Sequence, residues 1–231
     1  MVAIKGQRRN RRLTYGKGIN DAEYNTQQMH RDDSGVLVLD WVCPYYAVWR
    51  DMLKRCLSVK HKNKCPAYAD VICCNEWLVF SNFKSWMEQQ DWEGKHLDKD
   101  LLVYQNKVYS PETCVFIPQE LNSFLVRNDV NRGELPLGVT LCSLIHGIYQ
   151  PSKKYAAYCG HSLTKNGKRT SCVLGRFYTK EDAHRAWQQE KMRLVLMHID
   201  NTNCELTQKG LRRVYTKIKH DFDNNLITED F

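Results

Sequence analysis

The stretch HLDKDLLVYQNKVYSPETCVFIPQELNSF, residues 96–124, decides how this chain is read. It scans as a strand, a tight turn, a second strand and then a helix entered through Pro118, with Asp98, Asp100, Asn106 and Asn122 spaced along it. His96 stands two residues before Asp98, so on a strand the two side chains share one side. Lys95 and Lys99 set basic groups beside these acids.

That layout resembles the ββα-metal cradle of HNH nucleases, in which two strands and the helix behind them hold one divalent ion against a scissile phosphate. The resemblance implies phosphodiester cleavage with one Mg²⁺ or Mn²⁺, Asp98 as metal ligand, and Asn122 or Asp100 as a second ligand. Family members carry Asp-His or His-His at the first strand, whereas here Lys99 follows Asp98 and occupies the position of the general base. His96 is the other group in reach with chemistry suited to proton transfer. SPETC stands where family members read like RPENL, which puts Thr113 in the place of an asparagine. The order WRDMLKRC, PAYADVICCNEWLVFSNFKSWM, LDKD and YSPETC resembles phage-encoded HNH proteins of the homing-endonuclease type over residues 36–126. That implies a bacteriophage protein working in the host cytoplasm. Two readings stay open: a double-stranded DNA endonuclease that nicks or cleaves, or a catalytically degenerate DNA-binding or regulatory protein. A third is an interaction protein that docks on a host factor.

Charge supports a nucleic-acid partner. The 231 residues carry 34 Lys and Arg against 26 Asp and Glu, a net +8, and the excess is uneven. Residues 1–20 hold six basic side chains (Lys5, Arg8, Arg9, Arg11, Arg12, Lys17) and no acid, and residues 150–195 hold ten basic and three acidic ones. Residues 70–120 hold nine acids and four bases. Basic ends that neutralise phosphates around a centre that concentrates carboxylates for a cation would produce this pattern. No apolar run approaches membrane-spanning length, and no signal-peptide core follows MVAIKGQRRNRR, so a cytoplasmic protein without membrane partners is expected. Ten cysteines include no CxxC pair, so reduced thiols and no structural zinc are expected. No Gly-rich phosphate loop or other small-molecule cofactor motif is visible.

The rest of the chain divides around this segment into an α+β protein. Residues 1–34 read as a basic flexible arm. Residues 35–126 form the HNH-like module: VLVLDWV is a short strand ended by Pro44, and YYAVWRDMLKRCLS places Tyr45, Trp49, Met52, Leu53 and Cys56 on one helical face. KHKNKCP reads as a lysine-rich loop, YADVICCNEW as a short strand leading into a helix capped by Asn75. WLVFSNFKSWMEQQ reads as a helix whose Trp77, Phe80, Phe83, Trp86 and Met87 form a core stripe. RNDVNRGELPL, residues 127–137, is the domain boundary.

Residues 137–197 read as three strands (GVTLCSLIHGIYQ, KKYAAYCG, SCVLGRFYT) forming an antiparallel sheet packed on one helix. Thr179 caps that helix with Asp182 three residues on, and Ala183, Ala186, Trp187, Leu194 and Met197 form its apolar face. GVTL, KYAAY, LGRF and TKEDAHRAWQQEK resemble the DNA-binding domain of the Apetala type, named for plant transcription factors. That family reads a major groove with its exposed sheet face, which implies DNA contacts from Lys154, Tyr155, Tyr158 and Arg176, joined by Lys168 and Arg169 in the long turn. Phosphate contact is the safer expectation than base readout, because the usual Arg-rich first strand is missing. Residues 198–231 read as a C-terminal helical tail around LTQKGLRRVYTKIKHDF.

Overall fold

A computed structural model of the protein describes residues 13–126, 133–142, 154–163 and 169–231, with the backbone alone for 160–163 and 169–171. The fold is α+β with small sheets, and the chain divides into two compact units, residues 1–117 and 118–231.

The first unit is built around aromatic packing. Strands β1 (Gln27–Arg31) and β2 (Leu37–Val42) form an antiparallel hairpin, and Pro44 opens helix α1 (Pro44–Leu57). The predicted face of α1 goes inward: Trp49, Met52, Leu53 and Cys56 are buried, with Tyr46 beside them and Tyr45 at the margin. Helix α3 (Phe80–Met87) meets α1 with Phe80, Phe83 and Met87, and Trp77 sits just ahead of it. Trp49 Nε1 donates to Trp77 O at 2.7 Å, so the indole N–H is satisfied while its ring is buried.

Three expectations for this unit are corrected. KHKNKCP is not a loop throughout, because helix α2 (Val59–Lys64) forms there with Ser58 Oγ accepting from His61 N. Asn75 makes no capping bond from its side chain; a 3₁₀ turn, Glu76–Leu78, intervenes before α3. Residues 13–34 are not a flexible arm either. Ile19 N donates to Leu78 O, Phe80 N donates to Ile19 O, and a Cβ on Gly18 would fall 2.3 Å from Leu53 Cδ1. A backbone that packs this closely on the core loses its freedom, polar composition notwithstanding.

Strand β3 (Ile72–Cys73) pairs in parallel with β5 (Val108–Tyr109), and β4 (Lys95–Asp98) pairs with β6 (Val115–Pro118). The connection between β4 and β6 is therefore not a tight turn. It is a structured segment that gives β3 a partner before the chain returns.

The second unit opens with α4 (Gln119–Leu125) and continues with strands β7 (Val139–Leu141), β8 (Tyr155–Leu163) and β9 (Arg169–Phe177), an antiparallel sheet in the order β7-β8-β9. Helix α5 (Lys180–Asp200) packs on all three strands. Thr179 Oγ1 accepts from Asp182 N at 3.1 Å and donates to Asp182 Oδ2 at 2.7 Å, the expected cap. Ala183 and Trp187 are buried on the sheet, but Met197 is exposed and Val195 and Ile199 are buried in its stead. The reason is helix α6 (Glu205–Asp223), which packs along α5 and turns the buried stripe of its last turns away from the sheet. Residues after α6 fold back: His184 Nδ1 bonds to Leu137 O at 2.9 Å and its Nε2 accepts from Thr228 N at 2.9 Å, which fixes a neutral tautomer.

Gly138 lets the sheet approach α5. Its φ is +73°, and an added Cβ would lie 1.9 Å from Trp187 Cδ1. Gly133 has φ +60° with nothing within 4 Å. Gly138→Ala should therefore lower the thermal unfolding midpoint far more than Gly133→Ala. The latter costs only backbone strain, about 1 kcal/mol, whereas the former adds overpacking of roughly 1–3 kcal/mol. Equal losses in calorimetry would show that Trp187 moves aside freely.

Candidate functional site

Segment 98–109 is held shut by reciprocal bonds. Lys99 Nζ donates to Asn106 O at 3.0 Å, while Asn106 Nδ2 donates back to Lys99 O and on to Val108 O, both at 2.7 Å. Asn106 Oδ1 accepts from Val108 N at 3.1 Å, which leads the chain into β5. Both side chains are buried, and Lys99 keeps only 6% of its surface. Its ammonium also donates to Asp100 Oδ1. Asp98 Oδ1 accepts from Asp100 N at 2.9 Å and Leu101 N at 2.7 Å, so the carboxylate caps the turn that follows β4. Gln105 takes φ +53° at the tip, which aims Asn106 back at Lys99.

These bonds sort the residues proposed from sequence. An amine that donates to a carboxylate and a carbonyl presents no lone pair to a water, so Lys99 works here as a clamp. On β4, Leu97 enters the core while His96 and Asp98 take the other side, as the strand period requires. His96 is exposed and Asp98 is half-buried. Burial pushes the Asp98 carboxyl above its usual range; the neighbouring Asp100 charge adds to this, and the Leu101 and Asp100 N–H groups oppose it. Such a carboxylate gains from a nearby cation. Thr113, in the place of the family asparagine, is a turn residue: its Oγ1 donates to Val108 O at 2.7 Å and accepts from Ser110 N at 3.2 Å. The clamping role of Asn106 was missed from sequence.

Asn122 lies on α4 in the second unit, whereas Asp98 and Asp100 belong to the first. What holds α4 to the second unit is Lys191 of α5, whose Nζ donates to Phe124 O and sits 3.5 Å from the centroid of the Phe124 ring. The His198 ring lies tilted against the same ring, with centroids 4.7 Å apart. Among the described residues no three His, Cys, Asp or Glu side chains gather to hold a metal. The donors at Asp98 and Asp100 fit a Mg²⁺-like ion that takes one or two carboxylates and completes its shell with phosphate oxygens and water.

The sheet of the second unit offers the other candidate surface. Val139, Ala157 and Ala183 pack together with Tyr155, Leu174 and Phe177 against them, which defines the helix side. Tyr155 is thus corrected from a groove-facing residue to a core-facing one, because the alternation of β8 places it with Ala157 and Cys159. Lys154, Ala156 and Tyr158 have the opposite parity, and Arg176 is paired with Ala156 across the β8–β9 ladder. Lys154 is exposed and Arg176 half-buried on this side, opposite α5, with Ala156 buried between them. Arg169 begins β9, with its backbone alone described, and Arg8, Arg9, Arg11, Arg12 and Lys168 lie outside the described residues. No described helix is long and apolar enough to cross a membrane.

Compared with protein-family models, curated proteins and solved structures, the chain matches none.

Burial lowers the pKa of Lys191 to about 8. With the folded value below the ordinary one near 10.4, the unfolded chain binds more protons between those limits, and stability from this group rises as pH rises through that window. Lys191→Met removes the buried charge. Lys191→Met also gives up the bond to Phe124 O, so the test is the pH dependence: the variant's unfolding midpoint relative to the parent's should be highest below pH 8 and fall towards pH 10, and a relative midpoint that rises with pH would contradict this account.

Proposed function

We propose that the protein is a double-stranded DNA-binding, HNH-like endonuclease that nicks or cleaves phosphodiester bonds with one Mg²⁺ or Mn²⁺, acting in the cytoplasm of a phage-infected host. The observation that carries the DNA partner is the face of the three-stranded sheet opposite α5, where Lys154, Tyr158 and Arg176 share one side. A twisted sheet bearing alternate basic and aromatic side chains is shaped for a major groove, and the net +8 supplies the attraction to phosphate. The basic N-terminal residues Arg8, Arg9, Arg11 and Arg12 add phosphate contacts in this reading, as do Lys168 and Arg169.

The hydrolytic half of the reading rests on Asp98 and Asp100. Asp98 keeps one carboxylate oxygen on the turn and turns the group's charge towards the ion; Asp100 balances Lys99 and lends charge to the same corner. A divalent ion there would neutralise charge on the scissile phosphate and stabilise the leaving oxygen. His96, on the same side of β4 as Asp98, takes the proton of the attacking water. The second reading is a binding-only protein, and the observation that favours it is the commitment of Lys99 to Asn106 and Asp100 at the position where relatives of this type place a base.

Binding to duplex DNA separates both readings from an interaction protein. Affinity should fall steeply with salt, with a log–log slope of about −0.9 per neutralised phosphate. Arg176→Ala should weaken binding and flatten the slope by roughly one contact's worth, with an unchanged circular dichroism melt. Salt-independent affinity, or an Arg176→Ala protein that binds as the parent does, would remove the sheet from the interface.

A further inference from the structure

Away from the acidic corner, the first unit carries a lysine-rich surface that the proposed function leaves unused. Residues 50–72 hold six Lys and Arg against two acids, Asp51 and Asp70. Helix α2 has three of those bases, Lys60, Lys62 and Lys64, within its 6 residues and no acid. Such a helix has little tendency to form alone. It is far shorter than the roughly 12–15 residues at which isolated helices become marginal, and its like charges one turn apart repel. Contacts to the rest of the unit hold it instead. Ser58 Oγ accepts from His61 N at 3.3 Å at its start. Lys62 Nζ donates to Ala69 O at 2.9 Å and Val71 O at 3.0 Å, which commits that lysine inward. The rings of His61 and Tyr68 lie tilted with centroids 5.4 Å apart, and the Arg55 guanidinium lies over Tyr68 at 5.9 Å. With His61 and Lys62 engaged and half-buried, Lys60 and Lys64 stand exposed, four residues and so one turn apart. Among the described residues neither lysine has an acidic partner.

We propose that Lys60 and Lys64 of α2 bind the backbone of duplex DNA, each neutralising one phosphate of the same strand. An unbalanced pair of ammonium groups held on a fixed turn opposes that turn, and an anion that meets both relieves the repulsion. Their Cβ atoms, about 5–6 Å apart, let two flexible stems reach neighbouring phosphates. The exposed setting suits an extended polyanion lying along the helix. Lysine offers a point charge without a planar fork, so these contacts position the duplex and read no bases. The surface is also tied to the acidic corner: Arg55 Nη1 donates to the Tyr109 hydroxyl at 3.1 Å, which joins the end of α1 to β5, the strand whose register Asn106 sets. A strand held at α2 is thus held by the same unit that carries Asp98. The inference rests on the DNA partner proposed above and does not depend on hydrolysis at Asp98.

The test is duplex binding by the full chain as a function of salt, for the parent, for Lys60→Gln/Lys64→Gln and for a charge-matched control on α6, Lys209→Gln/Arg212→Gln, whose two residues are also exposed. The α2 variant should have a log–log slope shallower by about 1.8, two contacts at about 0.9 each, with an unchanged circular dichroism melt. The control should keep the parent's slope. An α2 variant with the parent's slope would overturn the proposal, as would an equal loss in the control, which would reduce the effect to net charge. Acetylation of surface lysines in the parent protein, read by mass spectrometry, decides the matter even if the variant does not fold: duplex should protect Lys60 and Lys64 but not Lys209, and equal labelling of Lys60 and Lys64 with and without duplex would overturn the proposal. A parent protein that binds no duplex at low salt would remove the DNA reading itself, and the proposal with it.

Discussion

The buried Lys99 ammonium, bonded to Asn106 O and Asp100 and answered by Asn106 Nδ2 on Lys99 O, is the constraint around which the first unit closes. It joins the end of β4 to the start of β5 across a loop whose Leu101 is buried. Breaking one partner of a buried, paired charge typically costs about 3–5 kcal/mol, because the other partner is left uncompensated. The register of β5 follows from the same bonds, since Asn106 takes both the N–H and the C=O of Val108. Tyr109, the next residue, then places its hydroxyl where Arg55 of α1 donates to it at 3.1 Å. The helix, the short parallel pair and the acidic turn are thereby one mechanical piece, and Asp98 is aimed by it.

This arrangement explains why the nuclease reading and the binding-only reading draw on the same residues. A loop locked by Lys99 keeps Asp98 and Asp100 in position whether or not an ion is used, so geometric order at the corner favours neither. The difference lies in proton transfer. Lys99 donates to Asp100 and to Asn106 O, and the proposed hydrolysis therefore assigns proton transfer to His96, which is exposed and on the same side of β4 as Asp98. Loss of a positioned base typically costs 10²–10⁴ in rate, so the proposed hydrolysis is expected to be slow.

Much of the fold was legible because periodicity reports burial. The stripes of α1 and α3 and the cap at Thr179 follow directly from residue spacing. The misreadings have physical causes. Residues 13–34 are polar and carry four acids against two bases, yet the backbone of Ile19 is bonded to Leu78 and Phe80, and composition does not reveal main-chain pairing. Tyr155 was assigned to the groove by the Apetala-type resemblance, whereas the strand alternation fixed by Ala157 and Cys159 places it against α5. At the candidate site, the shared side of His96 and Asp98 on β4 was legible from the strand period. The role of Asn106 was not, because a side chain that bonds back across seven residues depends on the positive φ at Gln105, which a glutamine does not advertise.

The most direct test of the account is nicking of supercoiled plasmid by purified protein in Mg²⁺ or Mn²⁺, comparing the parent with Asp98→Asn. An asparagine keeps an oxygen to accept from Asp100 N and Leu101 N, so the turn is retained while the charge for the ion is lost. The account predicts slow, divalent-ion-dependent nicking by the parent and its loss in Asp98→Asn at unchanged DNA affinity. Equal nicking by the two proteins, or none by a parent protein that binds the plasmid, would contradict a metal cradle at Asp98.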